Sequence, residues 1–420
     1  MQKMAHISAA RLLRIIGKLL LAAMLIAVMA IVATSISPIY DFAKPSPFSG
    51  PDIFNPYRNL DTTTMWQRAN FHTHTRVEGP MNECELWPDE VYDQYMRYDY
   101  DIVTFSNHNE LTAHPIDSLQ VDLYEHGYNL LKFHKLVFGS REVDHFDHLL
   151  PIFASQRQWQ IDRLQDDGDI VVLNHPLRTP LTTRSMLEKL TGYNIMELDS
   201  GRSTENEYWD WALSAGHYSF GMANDDLHYP DRSAAIAVRC NFLCTPSARY
   251  EDIRATLLDG CYYSMRLPDY GEGNFYIKEQ KNSDIPYITD IGLRGDTIHI
   301  ALSQVAACIK VIGQNHTLLH EVSNTAHAEY TLGSHEPYAR FIVYFEEGEV
   351  IYSNPFARYD ASLSDTPYAV ARHPINVWLT ILYNILLVAL TIAIAWLLYR
   401  LVIKPIVYEH LAHKDQRANR

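Results

Sequence analysis

The chain has 420 residues, 47% of them hydrophobic, which is enough to bury the core of one large domain or two ordinary ones. Its formal net charge is -15, and the acidic excess lies between two apolar runs near the ends of the chain, while the segments outside these runs are basic. Binding phosphates in bulk needs a basic surface, so the composition excludes nucleic acid as the expected partner of the central region.

The two apolar runs are long enough to cross a membrane, since about twenty apolar residues span a bilayer. We predict transmembrane helices at residues 19–40 and 376–400, with Asn384 as the only strongly polar interruption of the second run. A cleaved signal peptide is the alternative for the first run. The length of its apolar core and the lack of a clear Ala-x-Ala site favour an uncleaved anchor.

The flanking charges predict how the chain crosses the membrane. Basic residues border the outer end of both runs, as the positive-inside rule expects of cytoplasmic ends. We therefore predict cytoplasmic segments at residues 1–18 and 401–420, and an extracytoplasmic domain anchored in the inner membrane. Residues 41–64, rich in Pro, Asn and Asp, are predicted to be a linker.

The five cysteines contain no Cys-x-x-Cys pair, which argues against a thiolate zinc site. An extracytoplasmic location would permit disulfides, but the odd count leaves at least one free thiol. The pairing cannot be deduced from the sequence.

Beyond the linker, short apolar runs alternate with segments of helical character, which predicts parallel strands in an α/β barrel. In such barrels the functional residues collect at the carboxyl ends of the strands. Histidine or acidic residues follow the apolar runs in just these places, at His72, His108, Glu142, His175, Glu197 and Asp226. A single histidine there is ordinarily a hydrogen-bonded loop residue, but so many polar strand ends have no packing explanation.

His72 and His74 are separated by one residue, so on a β-strand both imidazoles would point to the same face and could reach one cation. A His-x-His sequence is common by chance and does not define a metal site alone. Its significance comes from the other strand ends.

These residues resemble the motifs of the PHP (polymerase and histidinol phosphatase) metal-dependent hydrolases. The resemblance covers about residues 65 to 360 and rests on FHTHT at 71–75, SNHN at 106–109, Glu142 with His148, NHP at 174–176 and DDLH at 225–228. It implies a distorted, seven-stranded (β/α) barrel at residues 65–268, followed by a small β-sandwich-like domain at 269–362.

The resemblance also implies two or three divalent transition-metal ions, either zinc, manganese or iron. The implied ligands are His72, His74, Glu78, His108, Glu142, His148, His175, Asp226 and His228. Glu142 would bridge two ions, and Glu142, Asp226 and His175 are the implied catalytic residues. His145 is the alternative to His148, and Asn107 stands where the family usually has Asp.

Imidazoles and carboxylates suit these metals, and a bridging carboxylate would set two ions close enough to activate one water molecule. The sequence contains no Gly-x-Ser-x-Gly elbow and no Walker or dinucleotide-binding glycine pattern. The resemblance therefore predicts a metallohydrolase, with phosphoesters as the first substrate class. Amide or carbamate hydrolysis, and a non-catalytic metal-binding sensor or assembly domain in the envelope, remain alternatives.

Arg141, Arg178 and Arg202 each lie near a predicted strand end and could bind a phosphoryl group, because guanidinium matches phosphate in bidentate geometry. A salt bridge on the surface or in a loop is the alternative role for each. The expected partners are a small-molecule or envelope substrate and, through the two helices, the membrane.

Overall fold

The computed structural model describes residues 9–61, 63, 66–79, 82–201, 203–204, 206–368 and 372–408. The chain forms two compact units. The first comprises Met1–Asp41, Asp147–Gln156 and Pro374–Arg420, and the second comprises Phe42–Phe146 and Arg157–His373.

The longest helices lie near the two ends of the chain, and shorter ones separate the strands between them. In chain order they are α1 (Ala9–Thr34), α2 (Pro88–Met96), α3 (Ala154–Asp167), α4 (Arg184–Leu187), α5 (Asn206–Ser214), α6 (Tyr250–Asp259), α7 (Phe275–Asn282) and α8 (Val377–Leu398).

The strands alternate with helices in the first two thirds of the chain and follow one another closely in the last third. They are β1 (Asp52–Phe54), β2 (Gln67–Asn70), β3 (Ile102–Val103), β4 (Leu123–His126), β5 (Lys135–Phe138), β6 (Ile170–Leu173), β7 (Ile195–Ser200), β8 (Ser203–Thr204), β9 (Phe220–Asn224), β10 (Arg239–Leu243), β11 (Tyr262–Arg266), β12 (Ile288–Arg294), β13 (Thr297–Gly313), β14 (Thr317–Thr331), β15 (Tyr338–Tyr344), β16 (Val350–Ser353) and β17 (Phe356–Tyr359).

In the first unit, α1 and α8 carry apolar stretches long enough to cross a membrane, Leu12–Thr34 and Val377–Tyr408. In an apolar segment of 18 residues within each stretch, only 11% and 6% of the residues are buried, whereas a core helix of a soluble protein is mostly buried. The two helices pack against each other. This confirms two apolar helices of spanning length, one near each end of the chain.

The chain just after α1 runs antiparallel to the start of α8. The Ser37 N–H donates to the side chain of Asn384 over 3.2 Å, and the Ile39 N–H donates to the Thr380 hydroxyl over 2.9 Å. Tyr40 then forms an antiparallel bridge with Ile375. Asn384, the polar interruption of the second apolar run, therefore binds the backbone at the end of α1.

The second unit contains two sheets of eleven and six strands among the described residues. The larger has the order β1-β17-β15-β16-β11-β10-β2-β3, with β12 and β14 attached through β13, and the smaller has the order β4-β5-β6-β7-β8, with β9 beside β7. The mixed α/β class and the sheet-rich second part are confirmed. The strands near the end of the second unit belong to the same sheet as β2, because β16 pairs with β11, β11 with β10, and β10 with β2.

The strand directions are mixed. Among the described strands three pairs are parallel, β2 with β3, β6 with β7, and β7 with β9, as the alternation of strand and helix predicts. However, β4 and β5 form an antiparallel pair, which a short connection between strands allows. Isolated parallel bridges join Thr73 to Leu227 and His108 to Glu125. Closure into a seven-stranded barrel stays a prediction.

A buried ionic group joins α5 to β15. The Asp210 carboxylate accepts hydrogen bonds from Arg340, at 2.6 and 3.0 Å, and from the Tyr338 hydroxyl at 2.8 Å. His316 also contacts Asp210. Burial opposes the ionised carboxylate, but the Arg340 guanidinium lowers the pKa of Asp210 below its ordinary value.

Candidate metal centre

His72 and His74 lie just beyond β2, where the chain remains extended. The His74 N–H donates to the Leu227 carbonyl over 3.0 Å, and the Thr73 N–H donates to the Ser106 hydroxyl over 3.0 Å. These bonds hold the segment in place. Alternation along the extended chain then turns both imidazoles, which are fully buried, to the same side, as predicted.

The two imidazoles face two carboxylates. His72 Nε2 lies 3.3 Å from Glu125 Oε2 and 3.2 Å from Asp226 Oδ1. His74 Nε2 lies 3.3 and 3.5 Å from the same two oxygens. The ligand atoms of these four residues all fall within 4.8 Å of one another, so one cation could contact all four.

Glu125, which β4 carries, presents its two oxygens to different imidazoles. In addition to His72 and His74, Oε2 lies 3.1 Å from His108 Nε2. The other oxygen, Oε1, lies 3.2 Å from His134 Nδ1 and 3.3 Å from His175 Nε2. A carboxylate placed in this way can bridge two metal ions.

Two further groups surround the first. His108, Glu125 and His134 form one of them, and His74, Glu83 and His228 form the other. Glu83 Oε2 lies 3.2 Å from His108 Nε2 and 3.6 Å from His228 Nε2. A neutral imidazole has a single lone pair, so His74 can serve only one ion.

Several buried atoms of these residues have no hydrogen-bond partner within the described part of the chain. His72 Nε2 and His74 Nε2, which lie beside Glu125, and Glu83 Oε2 are among them. The others are the Nδ1 atoms of His108 and His175, two rings that approach Glu125 through Nε2 instead. Buried polar atoms are ordinarily satisfied, and unpartnered imidazole nitrogens beside carboxylates fit a bound divalent cation. The residues therefore suit the metal ions that the PHP resemblance implies.

Glu197, on β7, orients residues of the metal centre through hydrogen bonds. Its carboxylate accepts from His72 Nδ1 at 2.8 Å, from the His175 N–H at 3.0 Å and from Asn224 Nδ2 at 3.0 Å. With its Nδ1 proton held there, His72 directs the Nε2 lone pair toward Glu125 and Asp226. Carboxylates commonly orient metal-binding histidines in this way.

The electrostatics keep the carboxylates ionised. Burial would raise the pKa of Glu125, but the imidazoles of His108 and His72 lower it well below the ordinary range. The pKa of Asp226 is likewise lowered against burial, chiefly by His72. Burial lowers the pKa of His108 to about 4, so this imidazole is neutral at pH 7 and its lone pair is available.

Two of the site residues have strained backbone. His175 has a φ of 26° and Asp226 a φ of 51°, both positive in residues other than glycine. Such conformations are costly and collect at functional sites, where surrounding contacts hold them. At His175 the hydrogen bond from the backbone N–H to Glu197 is one such contact.

Arg178, one of the three arginines predicted to bind phosphate, lies at the metal centre. It follows β6 and forms an ion pair with Asp226, to which its Nη1 donates. Arg141 is exposed. Arg202 lies outside the described residues.

The structure thus brings six of the predicted ligands together, and it places three elsewhere. Those brought together are His72, His74, His108, His175, Asp226 and His228. Glu142 requires a correction, because it is exposed in the loop after β5 and belongs to none of the metal-holding groups of the described residues. Glu125 instead contacts histidines through both of its oxygens, the arrangement that was predicted for Glu142.

The predictions for His148 and Glu78 are corrected in the same way. His148 contacts the carbonyl of Thr34 within the first unit, and its alternative His145 is exposed. His134, which directly precedes β5, contacts the bridging carboxylate instead. Glu78 is exposed, and Glu83, five residues later, approaches the histidines.

Asn107 supports the backbone beside the site. Its side-chain oxygen accepts from the Thr75 N–H at 2.8 Å, and its amide donates to the hydroxyls of Thr75 and Thr112, both at 2.7 Å. It therefore ties the segment that follows His74 to the end of β3. The side chain contacts this segment through Thr75 rather than through an imidazole.

The sequence contains a signal for Glu125 that the family motif obscures. Residues 121–126 (VDLYEH) place apolar side chains at alternate positions, which is typical of a strand, and this strand ends in an acidic residue and a histidine. His134 stands immediately before the next apolar run. A β-hairpin predicted at residues 121–138 would have identified both Glu125 and His134 as candidate site residues.

The described residues form a buried His/Glu/Asp group of the kind with which metal-dependent hydrolases hold divalent cations. A scan against protein-family models and a search of curated proteins find no match. Among solved structures, the chain is similar to a two-domain protein from Bacteroides vulgatus that contains a predicted PHP-like metal-dependent phosphoesterase. The identity is 13% and the TM-score 0.39, over 75% of this chain and 100% of that one.

A second solved structure with which the chain has a likeness is a lesion-specific endonuclease from Pyrococcus furiosus. The identity is 12% and the TM-score 0.32, over 46% of this chain and 56% of that one. Both superpositions are loose, so the residues of the metal centre are the better guide to function.

Proposed function

We propose that the chain is a membrane-anchored, metal-dependent hydrolase of the PHP type that acts on phosphoester bonds. The observation that carries the proposal is the buried group of His72, His74, Glu125 and Asp226, whose imidazole Nε2 atoms have no hydrogen-bond partner among the described residues. Two or three divalent ions, either zinc, manganese or iron, are the proposed cofactors.

The protein's own residues have distinct parts in this reaction. Glu125 and Asp226 supply negative charge to the cations, and Glu197 fixes the ring of His72. When bound, the cations would lower the pKa of a water molecule and neutralise charge on the substrate. His175 approaches the other oxygen of Glu125, Oε1, and is a proposed ligand of a second cation.

Arg178 favours a phosphoester over an amide. Its guanidinium lies at Asp226 and keeps its charge at any pH, and guanidinium groups pair with phosphoryl oxygens in bidentate geometry. An amide or carbamate substrate offers no comparable anion. A small-molecule or envelope phosphoester, rather than nucleic acid, fits the acidic balance of the chain.

The proposed topology places both termini in the cytoplasm and the hydrolase outside it, in the inner membrane. The antiparallel arrangement of the chain after α1 with the start of α8 supports a helical hairpin whose ends share one side. Fluorescent-protein fusions at each terminus should fluoresce. A fusion within the exposed 361–364 turn should not, and fluorescence there would contradict the topology.

The function is tested with a matched pair of variants, Glu125→Gln and Glu142→Gln, in the full-length protein. We expect the first to lose metal and at least about 100-fold in turnover of a generic phosphodiester, because it removes the bridging charge. The second changes an exposed carboxylate and should retain both. Equal activity of the two variants, or no turnover by the metal-loaded wild type on a broad hydrolase panel, would reject the proposal and favour a sensor.

A further inference from the structure

Cys244 and Cys261 lie opposite each other at the end of the pair formed by β10 and β11. The last paired residues of these strands are Leu243 and Tyr262. One position further on, the Cys244 N–H donates to the Cys261 carbonyl over 3.0 Å. The antiparallel arrangement thus extends to the two cysteines.

Directly opposed residues of an antiparallel pair carry their side chains on the same face, with Cα atoms about 5.5 Å apart when they are hydrogen-bonded. Disulfides commonly join Cα atoms that lie about 4.4 to 6.8 Å apart. The two thiols already contact each other through a side-chain hydrogen bond. A disulfide therefore needs no rearrangement of the strands.

The two thiols differ in ways that suit stepwise oxidation. Cys244 is half-buried, whereas Cys261 is only 3% exposed. The hydrogen bond from Cys261 lowers the pKa of the Cys244 thiol, and the same contact raises the pKa of Cys261. Cys244 is thus the accessible and more readily ionised member of the pair.

The remaining cysteines lack such a neighbour. All five cysteines are free thiols in the structure, but no other cysteine is among the groups that shift the pKa of Cys84, Cys240 or Cys308. Five cysteines can then provide one disulfide and three free thiols, in agreement with the odd count.

We propose that Cys244 and Cys261 form a disulfide in the mature protein. An extracytoplasmic thiol–disulfide oxidase would be the oxidant. The Cys244 thiolate attacks a sulfur of the donor's disulfide, forming a mixed disulfide and releasing one donor thiolate. The Cys261 thiol loses its proton and attacks the Cys244 sulfur, which forms the intramolecular bond and releases the second donor thiolate. The chain loses two protons and two electrons, and the donor becomes a dithiol.

This bond would close the loop 245–260, which contains α6, and would secure β10 beside β11, while β10 also pairs with β2. Strand β2 leads directly to the metal-binding histidines. The cross-link therefore stabilises the scaffold of the site from the end of β2 that is remote from His72. Closing a loop of this length stabilises a protein mainly by restricting its unfolded state.

The test labels the thiols of the full-length protein in cells. Cells are quenched with acid, free thiols are blocked with light N-ethylmaleimide, disulfides are reduced, and the new thiols are blocked with the heavy reagent. Peptide mass spectrometry should find heavy label on Cys244 and Cys261 and light label on the other three. A Cys244→Ser variant should shift Cys261 to light label, whereas Cys308→Ser should leave the pattern unchanged.

Light label on both Cys244 and Cys261 of the wild type, or a bond from either to a different cysteine, would overturn the proposal. The cellular result also depends on the proposed orientation in the membrane, so purified, reduced protein is treated with oxidised glutathione. Formation of the Cys244–Cys261 bond there, after light label in cells, would locate the failure in the orientation. If the Cys244–Cys261 bond does not form in oxidised glutathione either, the geometry of the two cysteines does not allow it. If the disulfide forms, reduction should lower the melting temperature of the wild type by a few degrees. Reduction should not change the melting temperature of Cys244→Ser.

Discussion

Glu125 contacts more of the metal centre than any single histidine does. Its two oxygens lie between 3.1 and 3.3 Å from the imidazoles of five histidines, which are His72, His74, His108, His134 and His175. A carboxylate surrounded in this way is stable while buried only because cationic groups balance its charge. The carboxylates raise the pKa of His72 and His74 against burial, so these two imidazoles carry the balancing protons in the free protein, and divalent cations would replace those protons. Metal binding is therefore expected to release protons and to weaken at acid pH.

At the same scale, Glu197→Gln tests the orientation of His72. The amide would preserve the shape of the side chain but could present an N–H to His72 Nδ1 and favour the wrong tautomer. We expect metal affinity to fall by about 10- to 100-fold while the fold is retained, because Glu197 orients a ligand without contacting the cation. Metal titration of the stripped protein measures this. Unchanged affinity would show that Glu197 has no such role.

Arg178→Lys separates phosphate recognition from metal binding. Lysine retains the charge but loses the planar pair of donors, so kcat/KM for a phosphodiester should fall by roughly 10- to 100-fold at unchanged metal content. Arg141→Lys is the matched control, because Arg141 is exposed. If the two variants show the same kinetics, Arg178 does not bind the substrate.

At the scale of the elements, the contact between α5 and β15 depends on Asp210. Asp210→Asn removes the charge that balances the buried guanidinium of Arg340, and leaving such a charge unpaired costs about 3–5 kcal/mol. The free energy of unfolding should fall by this amount near neutral pH. Asp166→Asn provides the control, because its ion pair with Arg372 is exposed on both sides and its loss should cost less than about 1 kcal/mol.

The difference in stability between wild type and Asp210→Asn should depend on pH in a definite direction. The pKa of Asp210 is lowered in the folded protein, so the stability that the ionised carboxylate contributes is present above its ordinary pKa and is lost as the pH falls through the lowered value. The gap in stability between wild type and Asp210→Asn should therefore be constant above about pH 5 and shrink in more acid solution. A gap that widened toward acid pH would contradict the assignment.

The arrangement of strands and helices also explains why some predictions were confirmed and others were not. Alternating strands and helices indicated the α/β class, and the residues that follow β2, β3, β6 and β9 include the six predicted ligands that the structure brings together. Glu125 and His134 belong instead to an antiparallel hairpin, whose pairing depends on a tertiary contact of β5 with β6. The resemblance to the PHP motifs places the bridging carboxylate after β5 and so selects Glu142. Local patterns alone do not distinguish these arrangements.

For the whole molecule, the sequence anticipated two apolar helices and a metal site within one acidic domain, but not the continuity of the sheet. The alternation of residues 297–302 and 340–345 is typical of half-buried strands, and β13 and β15 contain nearly all of these residues. Which sheet those strands join is a long-range question, decided by the pairing of β16 with β11. Periodicity carries no information about such partners.

The central claim is that the buried histidine and carboxylate group holds catalytic divalent ions. Its most direct test is the metal content of full-length protein, purified without added metal, measured together with phosphodiesterase activity before and after chelation. We expect at least about one equivalent of transition metal per chain, loss of activity on stripping, and recovery when zinc, manganese or iron is returned. Metal-free protein with intact histidines that neither binds these ions nor gains activity from them would contradict the claim.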